Sequence, residues 1–357
     1  MIAQSLRNAV IAGAMGIAAL SLHSETLPVT SLMDAMWQTS CGDSNWVREQ
    51  LMGHMQEYAD SCSHTMWFAH CDAAPGSELR QREAGTIFGF YQAALDRILR
   101  EVPVEEAPQG KVVLWHLYNM GYVVKTPSHT FGIDLKHRDA ERLAPLLEFL
   151  CVTHNHQDHF SMPLIEAMVK AGKPVYSNFL EAGQRVATGD VLHPVEGIEM
   201  VTTVVDHNPT LVNFVVDYEI DCGEDTGHKV ILHLGDSRNW EQLRKTKPVD
   251  ILIPHLAVGL DMPRAVEKLS PQVVLISHIM ELSHPRDKWR WSYPYGLDRC
   301  RDLRTALSLP ANCVRLPVWG ESSTDLRYLR GWMCGQKGLC VRAGGRHRRS
   351  LGNGRSG

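Results

Sequence analysis

Cys151-Val152-Thr153-His154-Asn155-His156-Gln157-Asp158-His159-Phe160 is the stretch on which the reading of this chain turns. It begins inside an apolar run, 149–153 (FLCVT), that reads as a buried strand. The residues after it, 161–171, read as a helix. The polar stretch between them is therefore a strand-to-helix loop. Three imidazoles and a carboxylate fall within six residues of that loop. Imidazole nitrogen suits zinc, iron and related cations, and a carboxylate adds a harder donor. In a tight loop His154 and His156 could face one cation while Asp158 and His159 face a neighbouring one. As plain core packing the group would be costly, because unpaired polar side chains lose their hydration on burial.

Working outward, the residues from 111 onward carry short apolar runs. Three come before the motif, at 111–115 (KVVLW), 121–125 (GYVVK) and 130–135 (TFGIDL). After 149–153 come 174–176, 200–205, 213–216, 230–234, 250–253 and 273–276, alternating with helix-like stretches. Such an alternation predicts a layered α/β fold with largely buried strands. Upstream, residues 24–105 read as helical, with apolar residues at helical spacing in 31–37, 46–55 and 86–99. A polar stretch holding Pro103 and Pro108 breaks the pattern. The expected organisation is a helical N-terminal extension over 1–109, a catalytic domain over 110–335 and a disordered basic tail over 336–357. No repeat of fixed period is visible.

The bulk numbers bound the class. Of 357 residues, 44% are apolar and 21% charged, as in a globular domain. A net charge of -4 argues against a general nucleic-acid binder. Nine cysteines without CxxC spacing read as free thiols in a reducing, cytoplasmic compartment. Against that, Arg7 and the weakly apolar run 9–22 loosely resemble a secretory signal within segment 1–22, too short for a membrane span. No Gly-x-Ser-x-Gly elbow is present to supply a serine nucleophile.

The run from His154 to His159 matches HxHxDH, and residues 111–320 resemble the metallo-β-lactamase superfamily of metallo-hydrolases. The resemblance implies an α/β fold, the metallo-β-lactamase αββα sandwich, carrying two divalent metal ions, zinc first and manganese or iron as alternatives. It implies that His154, His156 and His207 hold the first metal, that Asp158, His159 and His278 hold the second, and that Asp236 bridges them. His207, Asp236 and His278 each close a strand-like run, 204–207, 232–236 and 275–278. Asp134 sits where the family often supports the metal loop, and equally where a strand-terminal turn would place an Asp. Asp158, His255 and His284 are the catalytic candidates, His255 and His284 as substrate contacts or general acids. Both are also readable as structural or surface histidines, and His284 is the fallback ligand for His278. Trp289, Trp291, Tyr293 and Tyr295 fit a pocket wall or the core equally well.

The resemblance then implies a hydrolase in which a metal-bridging hydroxide attacks an ester, lactone or phosphodiester of a small molecule. Asp at 236 resembles the glyoxalase II, lactonase and phosphodiesterase members rather than the true β-lactamases. Two alternatives stay open: a mononuclear iron oxidoreductase like the persulfide dioxygenases, and a ribonuclease of the same fold. Homo-oligomerisation is also left open.

Overall fold

The structure, a computed structural model, describes residues 28–39 and 46–323; segment 1–22 and the tail 336–357 lie outside the described residues. Among the described residues the elements begin, in chain order, with five helices: α1 (Val29–Trp37), α2 (Trp46–Asp60), α3 (His64–Asp72), α4 (Glu78–Glu83) and α5 (Ile87–Glu101). Strands β1 (Val113–His116), β2 (Tyr122–Lys125), β3 (Thr130–Ile133) and β4 (Leu150–Cys151) follow. After α6 (Met162–Lys170) come β5 (Val175–Ser177), β6 (Gln184–Arg185), β7 (Val191–Leu192), β8 (Glu199–Val205), β9 (Val215–Asp221), β10 (Val230–His233) and β11 (Ile251–Ile253). The chain then runs through α7 (Met262–Leu269), β12 (Val273–Leu275), α8 (Tyr293–Leu307) and β13 (Val314–Arg315).

Two mixed sheets result. The first runs β1 to β6 in sequence order, antiparallel through β3 and parallel from β3 onward. The second runs β13-β12-β11-β10-β9-β8-β7, parallel from β13 to β10 and antiparallel beyond. Strand parity explains how they stack, because successive side chains point to opposite faces. Tyr122, Val124, Phe131, Ile133 and Cys151 of the first sheet pack against Met200, Tyr218, Ile220, Ile231 and Ile253 of the second. Their alternating neighbours Trp115, Val123 and Leu150, with Leu232, Leu252 and Val274, belong to a separate apolar cluster shared with the helices. Strands buried on both faces read as continuous apolar runs rather than alternating ones, and each of the ten runs named from sequence forms a strand.

The helices before β1 bury their apolar residues in that outer cluster. In α5, Thr86 caps the N-terminus and Phe88, Tyr91, Leu95 and Ile98 are buried. Met33, Met36, Met52, Met55 and Trp67 are buried beside them. Trp67 stacks on Tyr118 just past β1, with ring centroids 5.1 Å apart. Trp37 Nε1 donates to the Trp319 carbonyl at 2.9 Å. Arg48 on α2 makes a buried, two-pronged ion pair with Glu321, at 3.0 and 2.6 Å, and donates to the Leu316 carbonyl at 3.1 Å. Removing one partner of such a pair leaves an uncompensated buried charge. Arg48→Met should therefore lower unfolding free energy by about 3–5 kcal/mol, read as a shift of the urea midpoint at unchanged slope. A shift within error would show that this contact does not hold the helices to the sandwich.

Candidate metal centre

Every candidate ligand sits just past a strand's carboxyl end. Asp134 follows β3, and the loop from His154 to His159 follows β4. His207 follows β8, Asp236 follows β10, His255 follows β11 and His278 follows β12. The strands β8, β10, β11 and β12 share one direction, as do β3, β4 and β5, so the two sheets bring their carboxyl ends together at one edge. Cross-links fix that edge. Val216 N–H donates to the Thr153 carbonyl at 2.8 Å, and His278 N–H donates to the Asn119 carbonyl at 3.1 Å. Tyr122 and Ser277 hydroxyls meet at 2.7 Å. Gly235 has φ 47°, and a Cβ there would come within 2.7 Å of Thr153, so only glycine lets the Asp236 turn lie against the histidine loop. Asn119, Asp134 and His278 also hold left-handed φ of 52, 49 and 68°, and strain of this kind clusters where geometry is imposed by function.

The side chains converge as two groups and a third that shares a residue with each. Ligand atoms of His154, His156, His207 and Asp236 lie within 4.8 Å of one another, as do those of Asp158, His159 and His278, and those of Asp236, His255 and His278. Nε2 of His154 and Nδ1 of His156 are 3.0 Å apart. Asp236 stands between the groups: Oδ2 is 3.4 Å from His207 Nε2 and 3.7 Å from His154 Nε2, and Oδ1 is 3.3 Å from His159 Nε2. Asp158 Oδ2 is 3.3 Å from His159 Nε2 and 3.2 Å from His278 Nε2.

Outer contacts orient these rings. Asp134, fully buried, accepts from Thr153 N–H at 2.8 Å, from the Thr153 hydroxyl at 2.7 Å and from His159 Nδ1 at 2.8 Å. The Thr153 oxygen then accepts from His154 Nδ1 at 3.0 Å. Both histidines therefore carry their proton on Nδ1 and aim the Nε2 lone pair at the cluster, as metal-ligating histidines do. Asn119 Nδ2 donates to Asp158 Oδ2 at 2.6 Å. His255 differs. Its Nδ1 accepts from Ala257 N–H at 2.8 Å, so its Nε2 carries the proton and faces Asp236 Oδ2, 4.0 Å away, as a donor. Its ring stacks on His278 with centroids 3.9 Å apart. His207 is the ligand candidate that this test does not favour. The Asn208 amide nitrogen stands 3.1 Å from its Nδ1, while the amide oxygen is held by Thr210 and Leu211. A cation at His207 Nε2 requires that proton to leave and the Asn208 amide to turn.

Two atoms that face each other in the cluster, His159 Nε2 and Asp236 Oδ1, are buried without a hydrogen-bond partner among the described residues, as is His278 Nδ1. Buried polar atoms are rarely left so. Burial, aided by the neighbouring His159, holds His154 well below the ordinary imidazole range, and burial with His207 beside it brings His156 down to about 4. Burial alone would raise Asp158 and Asp236, but the surrounding imidazoles outweigh it and hold both well below the carboxylate range. Neutral imidazoles and ionised carboxylates are the protonation states a metal ion requires. His159 is the exception: burial pushes it down, yet Asp158, Asp236 and Asp134 outweigh burial and raise it. Three carboxylates around one ring favour a cation at that position, whether a proton or a metal. The residues present fit bound divalent metal.

His156, Asp158, His207, Asp236, His255 and His278 open onto one cavity of about 510 Å³. His284 lines it too, with Trp289 and Trp291; Tyr293 is buried in the core and Tyr295 stacks on Trp291 outside the cavity lining. His284 stands apart from the ligand groups, and its Nδ1 is hydrogen-bonded to Oε2 of the fully buried Glu281. The same carboxylate accepts from the backbone N–H of Ser283 at 2.8 Å and of His284 at 3.0 Å, and from the Tyr118 hydroxyl at 3.2 Å. Sequence reading missed Glu281, Asn119 and Thr153 as parts of the site. The Glu-x-x-His spacing of 281–284 was a usable signal; Asn119 left none.

No protein-family model and no curated protein sequence matches the chain. Among solved structures it is similar to a metallo-hydrolase from the hyperthermophilic archaeon Ignicoccus hospitalis, with 16% identity, TM-score 0.46, and coverage of 59% of this chain and 97% of that one. It is similar to the metallo-β-lactamase fold protein YhfI from Bacillus subtilis, with 13% identity, TM-score 0.43, and coverage of 59% and 98%. It is also similar to CmlA, a diiron β-hydroxylase from Streptomyces venezuelae, with 16% identity, TM-score 0.41, and coverage of 57% and 52%. Two mixed sheets face to face, helices outside them and a histidine–aspartate cluster along their carboxyl ends make this fold the αββα sandwich of the metallo-β-lactamase kind that the HxHxDH run implies.

Proposed function

We propose that the protein is a dinuclear metal-dependent hydrolase acting on an ester, lactone or phosphodiester bond of a small molecule. The observation that carries this reading is the position of Asp236 between two groups of ligand atoms. His154, His156 and His207 would hold one cation, Asp158, His159 and His278 the other, with Asp236 shared. Bound there, the cations supply Lewis acidity and a water ionised near neutral pH. Ligand atoms gathered in more than one group favour this over a mononuclear oxidoreductase, and the cavity volume suits a small molecule rather than a polynucleotide.

The chain's own side chains do the rest. Asp134 and Thr153 fix the tautomers of His154 and His159, and Asn119 holds one oxygen of Asp158. His255 Nε2–H points toward Asp236 and is placed to hydrogen-bond a substrate oxygen. His284 is placed to give its proton to the leaving group, with Glu281 orienting the ring and stabilising its charged form.

This role fixes a pH dependence. Burial lowers His284, but the Glu281 hydrogen bond and charge outweigh it, so the ring is raised above its ordinary range. Activity should fall as pH rises through that raised value. His284→Gln should lower kcat by about a hundredfold and remove the alkaline fall, whereas Glu281→Gln, which keeps the ring but takes away the group that raises it, should lower kcat and move the fall to lower pH. The measurement is kcat against pH on chromogenic lactones and bis(4-nitrophenyl) phosphate. An alkaline limb that survives in His284→Gln would take the proton-donor role away from His284.

A further inference from the structure

Arg238 lies two residues past Asp236 and lines the same cavity, where it is the only Lys or Arg among the described residues. Its guanidinium makes no hydrogen bond or ion pair among the described residues. The nearby carboxylate of Asp206 is already engaged, by Asn213 N–H at 2.9 Å and Asn239 Nδ2 at 3.4 Å. The side chain is nonetheless given a place to lie. Gly259 has φ 95°, and a Cβ there would come within 3.0 Å of Arg238 Nε and 3.4 Å of Cζ. The missing side chain lets the guanidinium rest on the loop that carries His255, Ala257 and Val258 to the cavity. A planar five-donor fork, unpaired at the mouth of a polar site, matches a carboxylate or phosphate.

Part of the wall is apolar. Leu211, Val258, Trp289 and Trp291 share the lining. Trp289 is 62% exposed at φ 59°, standing edge-on to His284 with ring centroids 5.4 Å apart. A large exposed ring held in a left-handed conformation beside a cavity marks a contact surface rather than a packing residue.

We propose that Arg238 is a specificity residue, and that the site takes a substrate bearing an oxyanion, carboxylate or phosphate, that pairs with its guanidinium while an apolar body lies against Trp289 and its neighbours. The proposal rests on the hydrolase reading for the reaction, but its test does not require turnover. The probes are benzoate, phenylphosphonate and neutral benzamide, titrated calorimetrically into the protein as purified with its metal and into Arg238→Met and Arg238→Lys. Arg238→Met should weaken at least one anion by about tenfold or more, leave benzamide within about twofold, and be partly rescued by Arg238→Lys. The anion that loses more identifies the group read by the fork. Equal anion affinity in wild type and Arg238→Met, or no binding of either anion to wild type, would overturn the proposal. Metal-dependent turnover with anion affinity unchanged in Arg238→Met would sink the anion subsite and leave the hydrolase standing. Arginine-dependent anion binding without any turnover would do the reverse.

Discussion

Asp236→Asn should lower kcat/KM by about a thousandfold or more, and metal content should fall from about two ions per chain to one or fewer. Asp236 is the one carboxylate within reach of both ligand groups, with Oδ1 3.3 Å from His159 Nε2 and Oδ2 3.4 Å from His207 Nε2. An amide nitrogen in place of one oxygen presents hydrogens where a lone pair is needed, and no anion then separates the two cations. The change keeps side-chain volume, and near-normal secondary structure by circular dichroism is expected. The assay is metal analysis beside steady-state kinetics on the best substrate. Activity within tenfold of wild type, with two ions retained, would show that Asp236 is not shared.

Asp134→Ala should be the most damaging change outside the ligand set. The carboxylate has no exposure and accepts three hydrogen bonds, two from Thr153 and one from His159. Its removal strands three buried donors, so a loss of about 3–5 kcal/mol in unfolding free energy is expected. It also frees His159 to turn or change tautomer, which should weaken metal affinity by about 10- to 100-fold, seen in competition with a chromophoric chelator. Asp134→Asn separates the two effects. Its volume and one acceptor remain, so most stability should return. Its single amide oxygen, however, cannot accept both from Thr153 N–H, held by Oδ1, and from His159 Nδ1, held by Oδ2, so metal affinity should stay low. Equal loss of stability in both variants with unchanged metal affinity would reduce Asp134 to a turn residue, the other role open to it from sequence.

The strands legible in the sequence were those buried on both faces, because continuous apolar runs such as 230–234 and 250–253 record that burial directly. What escaped was weakly coded. Both β6 and β7 are two-residue pairings near the sheet edges, and Gln184, Arg185 and Val191 are exposed, so no burial pattern marks them. In α8 the helical period is blurred by Pro294, Gly296 and a charge-rich middle, and Tyr293 was legible only as an aromatic. The ligand residues were readable because a motif and successive strand ends name them. Of their supports, Glu281 was signalled only by its spacing to His284, and Asn119 and Arg238 lie on turns that only the folded chain brings to the site. Asp134 and Thr153 lay in plain view, yet the shared carboxylate that joins them to two histidines is a three-dimensional fact.

The account stands on the cluster around Asp236 holding metal. The direct measurement is elemental analysis by inductively coupled plasma mass spectrometry of the purified protein beside a His154→Ala, Asp236→Ala double variant, with circular dichroism to check that both are folded. The account predicts about two zinc or manganese ions per chain in the wild type and their loss in the folded double variant. A wild type without stoichiometric metal, or a double variant that keeps its metal, would contradict it.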